Sequence, residues 1–174
     1  MSLHHPKILI VDGYNVLRSS GLYAGMGEDF SAGALNEARD KLITDAGAFA
    51  GREYDPIVVF DGGGNPSSKG TPSKVGPVTV IFSPAGHTAD TVIEKLSVEH
   101  KEAGHEVLVV TSDAATQWTV LRTGVTRMSA QGFADEVRGV RASVARHNPS
   151  PKVKNTLAER LDPQVRAALE AMRG

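Results

Sequence analysis

Short runs of apolar, largely β-branched residues recur along the chain and predict the strands of a buried sheet. Four such runs occupy residues 7–12, 56–61, 78–82 and 106–110, and a shorter run at residues 125–128 predicts a fifth strand. The runs are continuously apolar rather than alternating, which is typical of strands covered on both faces. Because helical patterns separate them, we predict an α/β fold with a central, mainly parallel sheet of about five strands and helices on both faces.

Apolar residues at spacings of three and four predict the helices between these strands. The first stripe runs from Leu35 to Phe49, and Gly51 is its expected terminator. A second helix carries Val92 and Leu96 and is expected to end near Gly104. The predicted N-caps of the successive helices are Ser31, Thr88, Ser112 and Ser129.

Two segments depart from this alternation of strand and helix. Residues 62–76 are rich in glycine and proline and predict a loop, which is either a surface insertion or a flap over a site. Prolines in residues 148–151 interrupt the last long helical pattern, and apolar positions between residues 157 and 169 predict a terminal helix. We therefore predict a main domain over residues 1–147, followed by a basic linker and helix over residues 148–174.

Composition narrows the chemistry available to this fold. A chain of 174 residues that is 40% hydrophobic suits one globular domain. The lack of cysteine excludes disulfides, thiolate metal ligands and thiol catalysis, and fits a reducing compartment. No apolar run approaches the roughly 18 residues that a membrane-spanning helix needs, and no signal-peptide pattern is visible. We expect a cytoplasmic protein with no membrane partner.

The formal net charge of −1 conceals an asymmetry along the chain. Residues 1–60 and residues 61–113 each carry −3, whereas residues 114–174 carry +5. Such an asymmetry indicates either a polyanionic partner or pairing within the molecule, and charge alone leaves both interpretations open.

Carboxylates lie where the predicted strands end. Asp12, Asp61 and Asp113 follow three strands, and Asp90 begins the helix after another, with Glu94 one turn further along. The carboxyl ends of parallel strands meet at one edge of a sheet, where ligands bind. Clustered like charges need protons or cations to neutralise them, and oxygen ligands favour Mg²⁺ or Mn²⁺. The alternative for each aspartate is an ordinary turn or helix-capping role.

Polar side chains beside these carboxylates are further candidates. Asn15 follows Asp12 closely, where its amide either orients water or a phosphate oxygen or serves a turn. Thr111 and Ser112 precede Asp113 and are candidates for the same orienting role. His87 is either a ligand or proton carrier or a surface residue.

Several segments together resemble the YacP-like NYN family. They match in order and spacing from residue 7 to residue 137, and the most specific are Val-Asp-Gly-Tyr-Asn-Val at residues 11–16 and Thr-Ser-Asp with Gln-Trp within residues 111–118. The others lie within residues 37–42, 58–61, 88–96 and 127–130. The resemblance implies a PIN-like fold with an acidic metal site and endoribonuclease activity. It also implies that Asp12, Asp90 and Asp113 are the core acids, with Asn15 and Asp61 nearby.

The function expected from this resemblance is metal-dependent hydrolysis of RNA phosphodiester bonds. Asp12, Asp90 and Asp113 are expected to hold Mg²⁺ or Mn²⁺, with Asp61 and Glu94 as further candidate ligands. A characterised branch of the family acts on messenger RNA in connection with ribosomes, which makes the ribosome a candidate partner besides RNA itself.

Basic residues in the last third of the chain are expected to bind the RNA backbone. Their alternative role is to solvate helix faces, and the candidates are Arg127, Arg138, Arg141, Arg146, Lys152 and Lys154. The chain has only five phenylalanines, three tyrosines and one tryptophan, which favours recognition of the backbone over a broad platform for stacking bases.

Three positions depart from the family pattern and keep alternatives open. His87 stands where glutamate is common, Thr91 where a second acid often follows Asp90, and Gly62 where alanine is usual. The two missing acids favour one-metal chemistry or altered metal affinity. An RNA- or ribosome-binding module with weak or no nuclease activity is the main alternative, and a toxin-like nuclease restrained by a partner is another.

Two other classes of protein fit the sequence poorly. An aspartyl phosphatase needs a second aspartate two residues after the nucleophile, a position that Tyr14 occupies. A dinucleotide-binding protein needs a Gly-x-Gly-x-x-Gly turn after the first strand, which residues 12–17 do not supply.

Overall fold

The computed structural model describes residues 5–24, 32–63, 65–147 and 171, and over these the chain forms six strands and five helices. In chain order they are β1 (Lys7–Asp12), α1 (Gly13–Ser19), α2 (Ala32–Ala50), β2 (Tyr54–Phe60), β3 (Ser73–Val75), β4 (Val78–Phe82), α3 (Ala89–Glu102), β5 (Val107–Val110), α4 (Ala114–Thr123), β6 (Thr126–Met128) and α5 (Ala130–His147). No helix in this part of the chain is long and apolar enough to cross a membrane.

The chain divides into two compact units, Met1–Val140 and Arg141–Gly174. All six strands belong to the first unit. The predicted linker and terminal helix of residues 148–174 lie outside the described residues except at position 171, and the predicted cap Ser31 also lies outside them.

The predicted parallel sheet is confirmed, with strand order β3-β4-β2-β1-β5-β6. Every neighbouring pair is parallel except β3 and β4. The expectation of about five strands misses β3, which lies in the segment predicted to be a loop. All three β3 residues are exposed, so no apolar pattern marks them. Their backbone instead pairs with the edge of β4, from Ser73 opposite Val80 to Val75 opposite Val78.

Both faces of the sheet are covered, which explains the continuous apolar runs. Leu9 of β1 lies in one core with side chains of α1, α2 and α5, among them Leu42. Ile10 of the same strand lies in the other core with side chains of α3 and α4, among them Ile93. Successive residues of a strand point to opposite faces, so an uninterrupted apolar run supplies both cores.

The predicted helix boundaries are mostly confirmed. Gly51 directly follows α2 with a φ of 52°, and Thr88 accepts a hydrogen bond from the Thr91 N–H at 3.3 Å to cap α3. The prediction that Ser112 caps α4 is wrong. Asp113 holds that position, and its carboxylate accepts from the Thr116 N–H at 3.1 Å.

Two serines support the start of α5 instead. The Ser129 hydroxyl accepts from the Gly132 N–H at 2.9 Å, and the Ser112 hydroxyl accepts from the Ala130 N–H at 2.8 Å. Both bonds satisfy backbone donors that a helix leaves unpaired in its first turn. Ser112 therefore joins the end of β5 to α5, a long-range role that local sequence does not indicate.

Helix α1 begins directly after β1, where the sequence analysis predicts no helix. Gly13 allows this close approach, because a Cβ there would lie 2.4 Å from two ring carbons of Phe60 and 3.0 Å from the Val59 carbonyl oxygen. The helix gives Asn15 a fixed place one turn beyond the strand end. It also gives Tyr14 and Arg18 defined places beside the carboxyl edge of the sheet.

Candidate metal-binding active site

The order in which the chain adds strands to the sheet reverses at β1. The chain moves from β1 to β2 and β4 on one side, and then crosses to β5 and β6 on the other side. Because connecting helices leave toward opposite faces at such a switch point, a crevice opens there beyond the strand ends. β1 ends at Asp12, and β5 leads directly to Thr111 and Asp113.

A cavity of about 250 Å³ occupies this crevice. Four predicted aspartates and the predicted amide line it, namely Asp12, Asp61, Asp90, Asp113 and Asn15. The remaining lining comes from α1 and the start of α3, including Tyr14, Arg18 and Thr88. The sequence-based expectation that these acids share one edge of the sheet thus agrees with their placement.

Asp12 is the buried carboxylate of the group, with 6% of its surface exposed. The pKa of Asp12 is raised from 3.8 to about 6, chiefly by burial and also by the nearby Asp90 and Asp113 carboxylates. Hydrogen bonds from the Thr111 hydroxyl and the Asn15 backbone oppose this rise. The site therefore holds a negative charge that it disfavours unless a proton or cation is present.

Thr111 connects Asp12 with Asp113. Its hydroxyl donates to Asp12 Oδ2 at 3.0 Å and accepts from the Asp113 N–H at 3.1 Å. The side chain is fully buried, and both hydrogen-bonding functions are engaged within the protein. Thr111 and Ser112, predicted to orient water or phosphate, do not line the cavity. The Thr111 hydroxyl instead holds Asp12, and the Ser112 N–H donates to Asn15 Oδ1.

Thr116 connects Asp90 with Asp113 and is a residue that the sequence analysis missed. Its hydroxyl donates to Asp90 Oδ1 and also lies 3.4 Å from Asp113 Oδ1. Thr116 is 1% exposed, so this contact lies beneath the cavity. A threonine in the first turn of α4, three residues after the capping Asp113, is the only sequence signal for it.

Asn15 ties α1 to the segment that follows β5. Its Oδ1 accepts from the Ser112 N–H at 2.8 Å, while the residue itself lines the cavity. This bond spans the crevice between β1 and β5. Asn15 thus fixes the two sides of the crevice relative to each other.

The remaining acid candidates are placed differently. Asp61 lines the cavity, and its Oδ1 also accepts from the Gly63 N–H at 2.8 Å, as the turn interpretation predicts. Glu94 is exposed on α3 and does not line the cavity. His87 is exposed and likewise absent from the lining.

The donor chemistry of the cavity fits a hard divalent cation. The donors are carboxylate and amide oxygens. Burial, together with repulsion from Asp90 and Asp113, raises the pKa of Asp12, as expected for a site that a cation would neutralise. Among the described residues, no three histidine, cysteine, aspartate or glutamate side chains already form a metal-binding group. Asp90 and Asp113 line the cavity and also contact the Thr116 hydroxyl.

The predicted RNA-binding residues fall into three groups. Arg127 lies on β6, next to β5, and its guanidinium donates to the Thr111 carbonyl at 3.2 Å, close to the site. Arg138 is paired with Asp135 at 2.9 Å on its own helix. Arg141 belongs to the second unit, and Lys152 and Lys154 lie outside the described residues.

Arg18 is a basic residue of the cavity that the sequence analysis missed. It lines the cavity from α1, and its Nε donates to the Tyr14 carbonyl at 3.3 Å. Recognising α1 from the sequence would have placed Arg18 one turn from Asn15 and hence beside the acids.

Comparison with known proteins assigns the family. The YacP-like NYN domain model matches residues 9–174. YacP of Bacillus subtilis (strain 168) is 34% identical over 144 residues, which cover 80% of this chain and 79% of that protein. The crystal structure of Rae1 (YacP) from Bacillus subtilis superposes with a TM-score of 0.66 at 30% identity, covering 96% of this chain and 94% of that one.

A mutant of Rae1 (YacP) from the same organism also matches. It has a TM-score of 0.66 at 28% identity and covers 95% of this chain and 99% of that one. The fold prediction is therefore confirmed as PIN-like. This chain belongs to the YacP-like NYN domain family and carries a nuclease-type domain.

Proposed function

We propose that this protein is a divalent-metal-dependent endoribonuclease that hydrolyses phosphodiester bonds of RNA. One observation carries the proposal: Asp12, Asp90 and Asp113 come from three separate elements and meet in one cavity at the switch point of the sheet. Carboxylates this close together repel one another, and a bound cation or proton is needed to offset that repulsion.

Asp12, Asp90 and Asp113 would hold Mg²⁺ or Mn²⁺, with Asp61 lining the same cavity. When bound, such an ion acts as a Lewis acid that offsets the charge developing on a phosphoryl group under attack. The chain's own contribution is to fix the acids. Thr111 holds Asp12, and Thr116 holds Asp90 and Asp113.

Asp12 also handles a proton. With a pKa of about 6, its carboxyl is partly protonated in mildly acidic solution when no cation is present. Ligand carboxylates must be deprotonated, so cation binding and proton release from Asp12 are coupled. Activity should therefore rise with pH through this range.

RNA reaches the acids only if nearby cationic groups compensate for their repulsion. Arg18 lines the cavity, and Arg127 lies beside the Thr111 carbonyl. Contacts of this kind to phosphates make binding fall steeply as salt rises. We carry over from the family resemblance messenger RNA near the ribosome as the candidate target, which co-sedimentation with ribosomes tests.

The test is cleavage of an internally labelled single-stranded RNA by the purified protein with Mn²⁺ or Mg²⁺. We expect cleavage by the wild type, loss with Asp12→Asn or Asp90→Asn, and full activity with Asp55→Asn. Asp55 is a matched control because it is exposed near the start of β2, at the opposite end of the strand from the site. Undiminished cleavage by both site variants would refute the assignment.

A second candidate is an RNA- or ribosome-binding module with little turnover. The observation favouring it is that Asp90 and Asp113 are bonded to Thr116, while Thr91 replaces an acid and its hydroxyl lies 3.1 Å from that of Thr88. Tight RNA binding without cleavage across Mg²⁺, Mn²⁺ and other divalent ions would favour this module over the nuclease.

A further inference from the structure

A larger cleft adjoins the acidic cavity. Its volume is about 870 Å³, and it shares Tyr14, Arg18 and Asp61 with the acidic cavity. The other walls come from α1, α2, the segment after β2 and the end of β4, including Leu17, Arg39 and Phe82. A polymer held at the carboxylates would therefore have one of its neighbouring units at this cleft.

Three aromatic rings are in contact at one wall of the larger cleft, which Tyr14 and Phe82 line. Phe60 and Phe82 are paired in register at the ends of β2 and β4, and their rings stack with centroids 5.4 Å apart and planes at 28°. The Tyr14 ring, which lines both cavities, lies 5.0 Å from that of Phe60. Phe60 is fully buried, but Phe82 is 36% exposed.

Arg39 is held against this aromatic wall. Its guanidinium lies 5.5 Å from the Phe82 ring centroid, and it donates to the Tyr14 hydroxyl at 3.1 Å and to Asn36 Oδ1. Within the described residues, neither Arg39 nor Arg18 forms an ion pair with a carboxylate. Both charges are thus available to an anion at the cleft.

We infer that this cleft binds one nucleotide of a single-stranded RNA, next to the phosphodiester held at the carboxylates. Its base lies against the apolar wall that Leu17 and Phe82 form, and its phosphate lies near Arg18 and Arg39. The inference rests on the proposed function, since it makes the cleft a subsite of that same reaction. A free base requires an unpaired strand, so the cleft selects single-stranded over duplex RNA.

This arrangement revises the expectation drawn from the low aromatic content. Few aromatic residues exclude a broad stacking platform, but one base needs only one exposed ring with a cation beside it. Phe82 and Arg39 supply that pair although they are far apart in sequence.

Binding of two labelled hexamers to the Asp12→Asn protein tests the inference without depending on cleavage. The probes are hexa-adenylate and an abasic hexamer with the same ribose-phosphate backbone, compared by fluorescence anisotropy at one salt concentration. We expect the hexa-adenylate to bind roughly tenfold more tightly. Phe82→Ala should remove most of that ratio, and Phe82→Leu, which preserves apolar packing, should also lower it.

The arginine variants separate charge from stacking. Arg39→Gln should weaken the binding of both probes, and Arg39→Lys should restore most of the binding of the abasic probe. The controls are Trp118→Ala, since Trp118 is 71% exposed on α4, and Arg122→Gln in the same helix. Equal affinity for the two probes, or an equal loss with Trp118→Ala, would overturn the inference. A protein that discriminates the probes but cuts no RNA would count only against the nuclease proposal.

Discussion

The carboxylate of Asp12 accepts a hydrogen bond at 3.0 Å from the hydroxyl of Thr111, a residue 99 positions further along the chain. This bond links the ends of β1 and β5, the two strands that flank the crevice. The same hydroxyl accepts from the Asp113 N–H, so one buried side chain positions two of the proposed ligands. The geometry of the acidic site thus depends on a residue that does not line it.

Thr111→Val should therefore raise the pKa of Asp12 above its wild-type value. Valine keeps the shape of the side chain but removes the hydroxyl that favours the charged carboxylate. Loss of the buried bond should also lower the free energy of unfolding by about 1 kcal/mol. A ¹³C NMR titration of the carboxyl groups measures the pKa. Thr126→Val, at an exposed position of β6, is the matched control. An unchanged pKa of Asp12 in Thr111→Val would contradict the role of the Thr111 hydroxyl in stabilising the Asp12 carboxylate.

The raised pKa of Asp12 makes stability fall as pH rises. The folded protein holds this proton up to about pH 6, whereas the carboxyl of the unfolded chain loses it near its ordinary pKa of 3.8. The contribution of Asp12 to the free energy of unfolding is thus fully present below pH 3.8 and is lost as pH rises through about 6. Its full size is about 3 kcal/mol.

Urea unfolding in EDTA between pH 4 and pH 7.5 should reveal this dependence as the difference between the wild type and Asp12→Asn. The variant should gain stability relative to the wild type as pH rises, because its amide cannot ionise. A constant difference across the range would show that Asp12 titrates normally.

Divalent cations should offset the loss of stability that ionisation of Asp12 causes. Mn²⁺ at millimolar concentration should raise the melting temperature of the wild type at pH 7, because a ligand of the folded state alone stabilises it by mass action. The rise should be lost with Asp90→Asn and with Asp113→Asn but kept with Asp55→Asn. A melting temperature that Mn²⁺ leaves unchanged in the wild type would contradict metal binding at these acids.

The parts of this architecture that could be predicted are those that local sequence determines. The buried strands β1, β2, β4 and β5 each required an apolar run, and Asp12, Asp61 and Asp113 stand directly at or after strand ends. Parallel pairing alone then gathers these acids at one edge of the sheet.

The parts that were not predicted depend on contacts that no apolar run in the sequence marks. β3 exists because its backbone pairs with β4, and the start of α1 depends on the space that Gly13 leaves for Phe60. The role of Thr116 likewise requires α3 and α4 to be adjacent. The partners of Gly13 and Thr116 lie too far along the sequence for a pattern of spacing to reveal them. β3 pairs with its immediate neighbour in the chain, but its exposed residues form no apolar run that would mark a strand.

Gly13→Ala should destabilise the protein by roughly 1–3 kcal/mol. The added Cβ would lie 2.4 Å from the Phe60 ring, which is fully buried and cannot move without disturbing the core. Thermal unfolding measures the loss. Gly139→Ala is the control, since nothing lies within 4 Å of a Cβ in that helix and alanine favours helix formation. Equal stability of Gly13→Ala and the wild type would contradict the close packing of α1.

Gly62→Ala should disturb the segment that carries Asp61. A Cβ there would lie 2.2 Å from the Ser83 carbonyl oxygen, a backbone atom that cannot swing aside. The Gly62 N–H also donates to the Ser83 hydroxyl at 2.8 Å, so this strand-to-loop contact fixes the path of the chain beside both cavities. Hydrogen exchange should become faster at Gly62 and Ser83, and any RNA cleavage should decrease with it. Unaltered exchange at both amides would mean that this segment accepts alanine, and that its close approach to Ser83 does not position Asp61.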